Sequence, residues 1–393
     1  MENFVYEYPT KVLFGKGAAR EYLGKALSAY GPNVMLAYGG GSIHRNGVYD
    51  EMIEILSAAG KKVTEFHGIM SNPTYAKVQE GAALAREKGI DFILAVGGGS
   101  VVDCCKVIAV QARLDEDIWE MEYGKGKFPT DSTPMGAVVT ASGTGAEMNG
   151  GAVITHEEKK IKAGIFAAAP RFAVLDPEYT MSVSLAQVIS GAFDTLSHAM
   201  ETYFGRADRD NVSDDIAEAV MRNTIRNMRF LLQNPNDYTA RSNLMWDSAM
   251  AENGILKCGR LTDFQGHQIE HQLGAYTDCN HGQGLAVIHP HLYRVMCEKA
   301  PEKFARFAVN VWNIPSQGKT DQELALAGVE ALAEFIQKCG LPTRLSDLRM
   351  KDEPVKLLTD AMLRDISDSC NLIQTGQAKL NHMEILEILK SCL

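Results

Sequence analysis

Phe92-Ile93-Leu94-Ala95-Val96-Gly97-Gly98-Gly99-Ser100-Val101-Val102-Asp103 passes from an unbroken apolar run through three glycines into a helical pattern. An apolar run of this length, cut by a glycine turn, reads as a strand buried on both faces. Glycines let the backbone come close to a phosphate. The helix start that follows offers free N–H groups and the positive end of its dipole. The G-x-G-x-x-G spacing of the usual dinucleotide fold is absent, so this loop alone reads equally well as a structural turn.

The same punctuation recurs upstream and downstream. A strand is predicted over 34–38 and stopped by Gly39-Gly40-Gly41; helical spacing over 48–59 follows, with Val48, Met52, Ile55, Leu56 and Ala59 on one face. A second strand is predicted over 62–66, a helix over 77–88 closed by Gly89, a helix over 101–112, and a strand over 135–140 running into Ala141-Ser142-Gly143-Thr144-Gly145. Strand, glycine turn and helix in repetition is the pattern of a parallel sheet with helices on its faces. Three glycine-rich loops at the carboxyl ends of its strands would line one crevice. An acidic residue near the ribose 2′-hydroxyl favours NAD. Here Gly40, Gly41 and Ser42, with Arg45 close by, leave room and donors for a 2′-phosphate, so NADP is permitted and NAD is not excluded.

After Asp176-Pro177 long helical patterns follow one another to the C-terminus. The expectation is an α/β dinucleotide-binding domain over 1–180 and an all-helical domain over 181–393. Phe4-Val5-Tyr6 and Val12-Leu13-Phe14 are candidates to pair as strands apart from the main sheet. The net charge of -10 and the lack of a dense Lys/Arg run argue against a nucleic-acid surface. No stretch reaches the roughly 20 apolar residues of a membrane helix, and the N-terminus does not read as a signal peptide. The eight cysteines form no C-x-x-C pair, which fits reduced thiols in the cytoplasm better than a secreted disulfide framework.

The helical half carries the chemistry. In Gly191-Ala192-Phe193-Asp194-Thr195-Leu196-Ser197-His198, Asp194 and His198 stand at i and i+4, one turn apart on one face. Gly266-His267-Gln268-Ile269-Glu270-His271 repeats the spacing with His267 and His271, and His281 follows shortly after. One carboxylate and several imidazoles suit Zn(II) or Fe(II). A lone histidine is more often a satisfied polar group than a ligand. His44, His67, His156, His289, His291 and His382 lack such company and read as structural. H-Q-I-E-H is not the H-E-x-x-H of metalloproteases, since Glu270 precedes the second His.

Taken together and in order, these elements resemble the iron-containing (group III) alcohol dehydrogenases, and within them the NADP-preferring butanol dehydrogenase and aldehyde reductase branch. The resemblance spans essentially the whole chain. It includes Pro9-Thr10-Lys11-Val12-Leu13-Phe14-Gly15, Tyr38-Gly39-Gly40-Gly41-Ser42-Ile43, Asn46-Gly47-Val48-Tyr49-Asp50, Asn72-Pro73, Val96 to Asp103, Ser142-Gly143-Thr144-Gly145-Ala146-Glu147-Met148-Asn149 and both His-bearing segments.

It implies a Rossmann-like N-terminal nucleotide domain, a helical C-terminal metal domain as in dehydroquinate synthases, and an active-site cleft between them. Asp194, His198, His267 and His281 would be the metal ligands, and His271 would stand near the nicotinamide and substrate as a catalytic group. Gly98, Gly99, Ser100 and Asp103 would hold the pyrophosphate and ribose, and Gly40, Gly41 and Ser42 the 2′-phosphate. Asn72, Thr140, Ser142, Thr144, Lys162 and Tyr179 match positions bordering the cofactor. The activity implied is hydride transfer between NADP(H) and a small primary alcohol or aldehyde, in a homodimer formed through N-terminal strands. The rival readings are a polyol dehydrogenase or a dehydroquinate synthase-like lyase on the same fold, a metallohydrolase with a phosphate substrate, and a catalytically silent binding protein.

Overall fold

The computed structural model describes residues 2–207, 209–350, 353–354, 358–373 and 375–393. It divides into two compact units, Glu7–Ser184 and Leu185–Leu393, the latter joined by the N-terminal segment up to Tyr6.

In chain order the first unit contains strands β1 (Lys11–Phe14), β2 (Asn33–Tyr38), β3 (Lys62–Phe66), β4 (Phe92–Gly97), β5 (Met135–Val139), β6 (Gly151–His156), β7 (Ile161–Phe166) and β8 (Phe172–Leu175). Its helices are α1 (Gly24–Leu27), α2 (Ser42–Arg45), α3 (Val48–Ala58), α4 (Tyr75–Glu87) and α5 (Gly99–Gln111). Six strands form one parallel sheet in the order β1-β8-β5-β4-β2-β3, while β6 and β7 make a separate antiparallel hairpin. The apolar runs are continuous because both faces are covered. Alternate residues feed two cores: Met35, Ala37, Ile93, Ala95, Met135 and Ala137 go to one side, and Val34, Leu36, Phe92, Leu94, Val96 and Val138 to the other. The chain leaves β2 for β3 at one edge, then returns to the far side of β2 as β4. That reversal is a topological switch point, where open α/β sheets bind ligands at their carboxyl ends.

One expectation is corrected. Val12-Leu13-Phe14 belongs to the main sheet: β1 pairs parallel with β8, Lys11 opposite Phe172, and Thr10 Oγ1 donates to the Pro170 carbonyl at 2.8 Å. Phe4-Val5-Tyr6 forms no strand, and its segment lies with the helical unit, where Glu2 N–H donates to the Gly259 carbonyl at 3.1 Å. A period-two pattern tells which residues alternate, not which distant strand they pair with.

The second unit is built from α6 (Leu185–Tyr203), α7 (Val212–Gln233), α8 (Tyr238–Glu252), α9 (Gln265–Thr277), α10 (His281–Lys299), α11 (Pro301–Asn310), α12 (Asp321–Lys338), α13 (Asp360–Ser369) and α14 (His382–Ser391). It also holds a short antiparallel pair, β9 (Arg349–Met350) with β10 (Glu353–Pro354), so it is not helical throughout. One apolar cluster joins nearly all its helices; α6 contributes Phe193, Leu196, Met200 and Tyr203, spaced as one helical face.

A buried charge in the first unit generates a test. Lys106, fully buried on α5, has its Nζ 2.5 Å from the Gly151 carbonyl, 3.3 Å from Asn149 Oδ1 and 3.5 Å from Asp103 Oδ1. Nearby Glu147 is 4% exposed, and burial pushes its carboxyl up to about 7 despite the opposing Lys106 charge. The folded chain therefore keeps a proton that the unfolded chain has already lost. Stability should be full below the ordinary carboxylate range and fall as pH rises towards about 7, by on the order of 3 kcal/mol. Glu147→Gln should flatten that decline in denaturant melts between pH 5 and 8. An offset of equal size at every pH would contradict it.

Candidate functional site

Asp194 and His198 lie one turn apart on α6, His267 and His271 one turn apart on α9, and His281 opens α10. These three helices bring their side chains to one oxygen. Asp194 Oδ1 is 3.4 Å from His198 Nε2, 3.6 Å from His267 Nε2 and 3.5 Å from His281 Nε2. Asp194, His267 and His281 offer atoms all within 4.8 Å of one another, and His198 joins them through Asp194. Asp194 Oδ1 and His267 Nε2 are buried with no hydrogen-bond partner. A buried oxygen and nitrogen left unpaired are costly unless something else binds them. His271 lies outside the group that forms on Asp194 and instead makes a second group with Glu270 and His281, whose ligand atoms all lie within 4.8 Å of one another; its ring centre is 5.9 Å from that of His267 and 5.6 Å from that of His281.

Sequence reasoning missed what stands behind the imidazoles. His198 Nδ1 is 3.0 Å from Glu252 Oε1 at the end of α8, His267 Nδ1 bonds Glu201 Oε2, and His281 Nδ1 bonds Glu270 Oε2. His267 and His281 thus each have a carboxylate hydrogen-bonded at the ring nitrogen opposite the Nε2 turned to Asp194, the arrangement that fixes a ligating histidine's tautomer and orientation, and His198 has a carboxylate close by. A signal existed for Glu201, which follows Asp194 at i+7 and His198 at i+3 on the same face of α6. Glu270 sits inside the quoted H-Q-I-E-H, and nothing in the local sequence marks Glu252.

The electrostatics follow the geometry. Burial alone would raise Asp194, yet the surrounding His281, His198 and His267 hold it well below the usual carboxylate range. Burial opposes the charged form of His267, but Glu201 and Asp194 outweigh it and push the imidazole up to about 10. Burial likewise works against Glu252, which Lys257 at 2.9 Å and His198 hold low. Four buried carboxylates around three imidazoles favour a cation at their centre. The donor set, with its orphaned oxygen and nitrogen, fits a divalent metal that accepts mixed N/O ligands. Close packing adds a steric condition: a Cβ on Gly282 would come 2.2 Å from the Ser190 carbonyl, so α10 can start against α6 only with glycine there.

In the α/β unit the loops after β2, β4 and β5 lie at the carboxyl ends of adjacent strands. Gly98 caps α5, and Gly99 and Ser100 form its first turn. A Cβ on Gly99 would meet Thr144 Oγ1 at 2.3 Å, and one on Gly98 would touch Ala141 Cβ at 3.4 Å, so these two loops pack together. Thr140 N–H donates to the Gly97 carbonyl at 2.9 Å. Gly39 approaches the same helix, 3.6 Å from Val101 Cγ2 by the same measure. Gly40 faces open space, and Gly41 and Ser42 lead into α2, with Arg45 Nη1 3.3 Å from a Cβ placed on Gly41.

The remaining predicted residues are more dispersed. Asn72 takes a left-handed φ of 51° just before α4, Lys162 is buried on β7, and Tyr179 lies in the core that also holds Ile43. Asp103 Oδ2 accepts the Val153 N–H at 2.9 Å, tying α5 to the hairpin. Ser142 lies in the loop after β5, partly exposed.

Two family models divide the chain between them: iron-containing alcohol dehydrogenase over residues 9–177, and the C-terminal part of the same family over residues 188–393. The chain belongs to the iron-containing alcohol dehydrogenase family. It is 39% identical to probable NADH-dependent butanol dehydrogenase 1 of Bacillus subtilis (strain 168) over 396 residues, 100% of each protein. It is 35% identical to NADPH-dependent aldehyde reductase YqhD of Escherichia coli (strain K12), over 91% of this chain and 92% of that one. The crystal structure of NADH-dependent butanol dehydrogenase A from Thermotoga maritima superposes with a TM-score of 0.91 and 35% identity, covering 100% of this chain and 99% of that one.

The enzyme is therefore an alcohol dehydrogenase, an oxidoreductase with a nicotinamide cofactor and a metal; the lyase and polyol alternatives on this fold are not favoured. Among the described residues no helix is long and apolar enough to cross a membrane.

A cation that binds only the folded chain should stabilise it by mass action, by about 4 kcal/mol at a thousandfold excess over Kd. Adding Zn(II), or Fe(II) under anaerobic conditions, to chelator-stripped enzyme should raise the melting temperature by several degrees. Asp194→Ala should abolish that rise; an equal rise in the variant would contradict a centre on this oxygen.

Proposed function

We propose that the enzyme interconverts small aldehydes and primary alcohols with NADP(H), using one Fe(II) or Zn(II) held by Asp194, His198, His267 and His281. The observation that carries this reading is the convergence of three imidazole Nε2 atoms on Asp194 Oδ1. When bound, such a metal supplies Lewis acidity towards the substrate oxygen, whose negative charge grows as hydride reaches the carbonyl carbon. The cofactor carries the hydride, and the protein supplies orientation. His271 is proposed to pass the alcohol proton between substrate and solvent at a ring nitrogen.

Gly98, Gly99, Ser100 and Asp103 are proposed to bind the pyrophosphate and its ribose, bordered by Asn72, Thr140, Ser142, Thr144, Lys162 and Tyr179. The start of α5 supports this, since Gly98 is its N-cap and no side chain caps it, and a helix start favours an anion. Among the relatives, names with NADH and names with NADPH both occur. The reading for NADP(H) rests on the loop after β2, where Gly40 leaves open space and Arg45 lies beside Gly41. Homodimerisation through the N-terminal segment is proposed from the exposure of Phe4 and Val5. A reducing cytoplasmic setting is proposed from the eight free cysteines, seven of them buried.

Reduced-nicotinamide absorbance with butanal tests the reaction. NADPH oxidation should exceed NADH oxidation, stop after chelation and return with Zn(II) or Fe(II). No turnover by any metallated form across several aldehydes would overturn the reading. Gly40→Asp places a negative charge where the 2′-phosphate is proposed to sit, and should lower kcat/KM for NADPH about tenfold or more while sparing NADH. Equal loss with both cofactors would remove the 2′-phosphate from that loop. His271→Ala should slow turnover and change the pH–rate profile with metal content intact; an unchanged profile would remove the proton transfer.

A further inference from the structure

Glu201 differs from the other two carboxylates behind the imidazoles. It is 2% exposed on α6, yet its bonds reach into the first turn of α9. Oε1 accepts the Gly266 N–H, and Oε2 accepts both the His267 N–H at 3.1 Å and the His267 ring nitrogen Nδ1. The first residues of a helix have N–H groups with no partner inside the helix, and these normally find a side chain from the residue just before it. Here that residue is Phe264, which makes no such bond. Asp263 Oδ1 accepts the Gln265 N–H at 3.0 Å, and a carboxylate from another helix takes the next two N–H groups.

We infer that Glu201 is a positioning residue that caps α9 from α6 and, with the same carboxylate, fixes His267 as its Nδ1–H tautomer. Three donors on one carboxylate lock the backbone and the imidazole of His267 together. They refer both to the helix that carries Asp194 and His198. With Nδ1 holding the proton, Nε2 keeps its lone pair free towards Asp194, as a metal ligand requires. The first turn is shaped for this contact: a Cβ on Gly266 would lie 2.6 Å from Glu201 Oε1 and 2.7 Å from His289 Cε1, so a larger residue would displace the carboxylate. His289 is itself held by Ser197, Oγ to Nε2 at 2.5 Å.

The inference rests on the metal reading proposed above, and its test separates the two. Glu201→Gln keeps shape but presents an NH2 group either to the Gly266 N–H or to both His267 donors, so at least one of the three must lose its acceptor. Zn(II) affinity, measured by competition with a chromophoric chelator, should fall about 10–100-fold in the variant, while its far-UV circular dichroism stays that of the parent. Co(II)-substituted variant should also show a changed visible spectrum. Parent-like affinity and spectrum in folded Glu201→Gln would overturn the positioning role and leave the metal centre standing. A parent that binds no Zn(II) would overturn the metal reading itself. Should the variant fail to fold, imidazole nitrogen chemical shifts of the Zn(II)-loaded parent decide: His267 protonated at Nδ1 supports the role, and protonation at Nε2 contradicts it.

Discussion

The meeting of three imidazoles at Asp194 Oδ1 is the constraint to which the helical unit is built. It needs α6, α9 and α10 to converge to within a few tenths of an ångström, at 3.4 to 3.6 Å from one oxygen. α6 satisfies this with two faces: Phe193, Leu196, Met200 and Tyr203 anchor it in the apolar core, while Asp194, His198 and Glu201 present the polar set. α10 is brought in by Gly282 against Ser190 and is capped by Asn280, whose Oδ1 accepts the Gln283 N–H at 3.2 Å. Burying so many carboxylates would be strongly unfavourable alone. Pairing with imidazoles and backbone N–H groups offsets part of that cost, and the proposed cation would offset more.

The α/β unit meets a different demand. A nucleotide phosphate needs bare backbone at a helix start, and bare backbone needs neighbouring loops without side chains in the way. Gly98 and Gly99 leave the backbone bare at the start of α5, where the phosphate is proposed to bind, and their missing Cβ atoms also let Thr144 and Ala141 pack close. The parallel sheet supplies the rest, because β2, β4 and β5 are adjacent and all end at the same edge.

Much of this was legible in the sequence, for physical reasons. Apolar runs cut by glycine can be read locally, so the strands 34–38, 62–66 and 92–96 and their loops were visible. The spacings of Asp194 with His198 and of His267 with His271 were visible for the same reason, since i and i+4 on a helix must share a face. Partnership across the chain was not. The pairing of β1 with β8 depends on residues far apart, and no periodicity encodes it. The same holds for Glu252 and Glu270, whose partners lie on other elements. Glu201 was half legible: its place on the face of α6 could be read, but its grip on α9 could not.

X-ray absorption at the metal edge of the loaded enzyme addresses the centre most directly. The expected first shell contains only nitrogen and oxygen, with the outer scattering of three imidazole rings, and Asp194→Ala should change it. A sulfur neighbour near about 2.3 Å, or a shell with no imidazole scattering, would place the metal elsewhere and contradict a centre on Asp194.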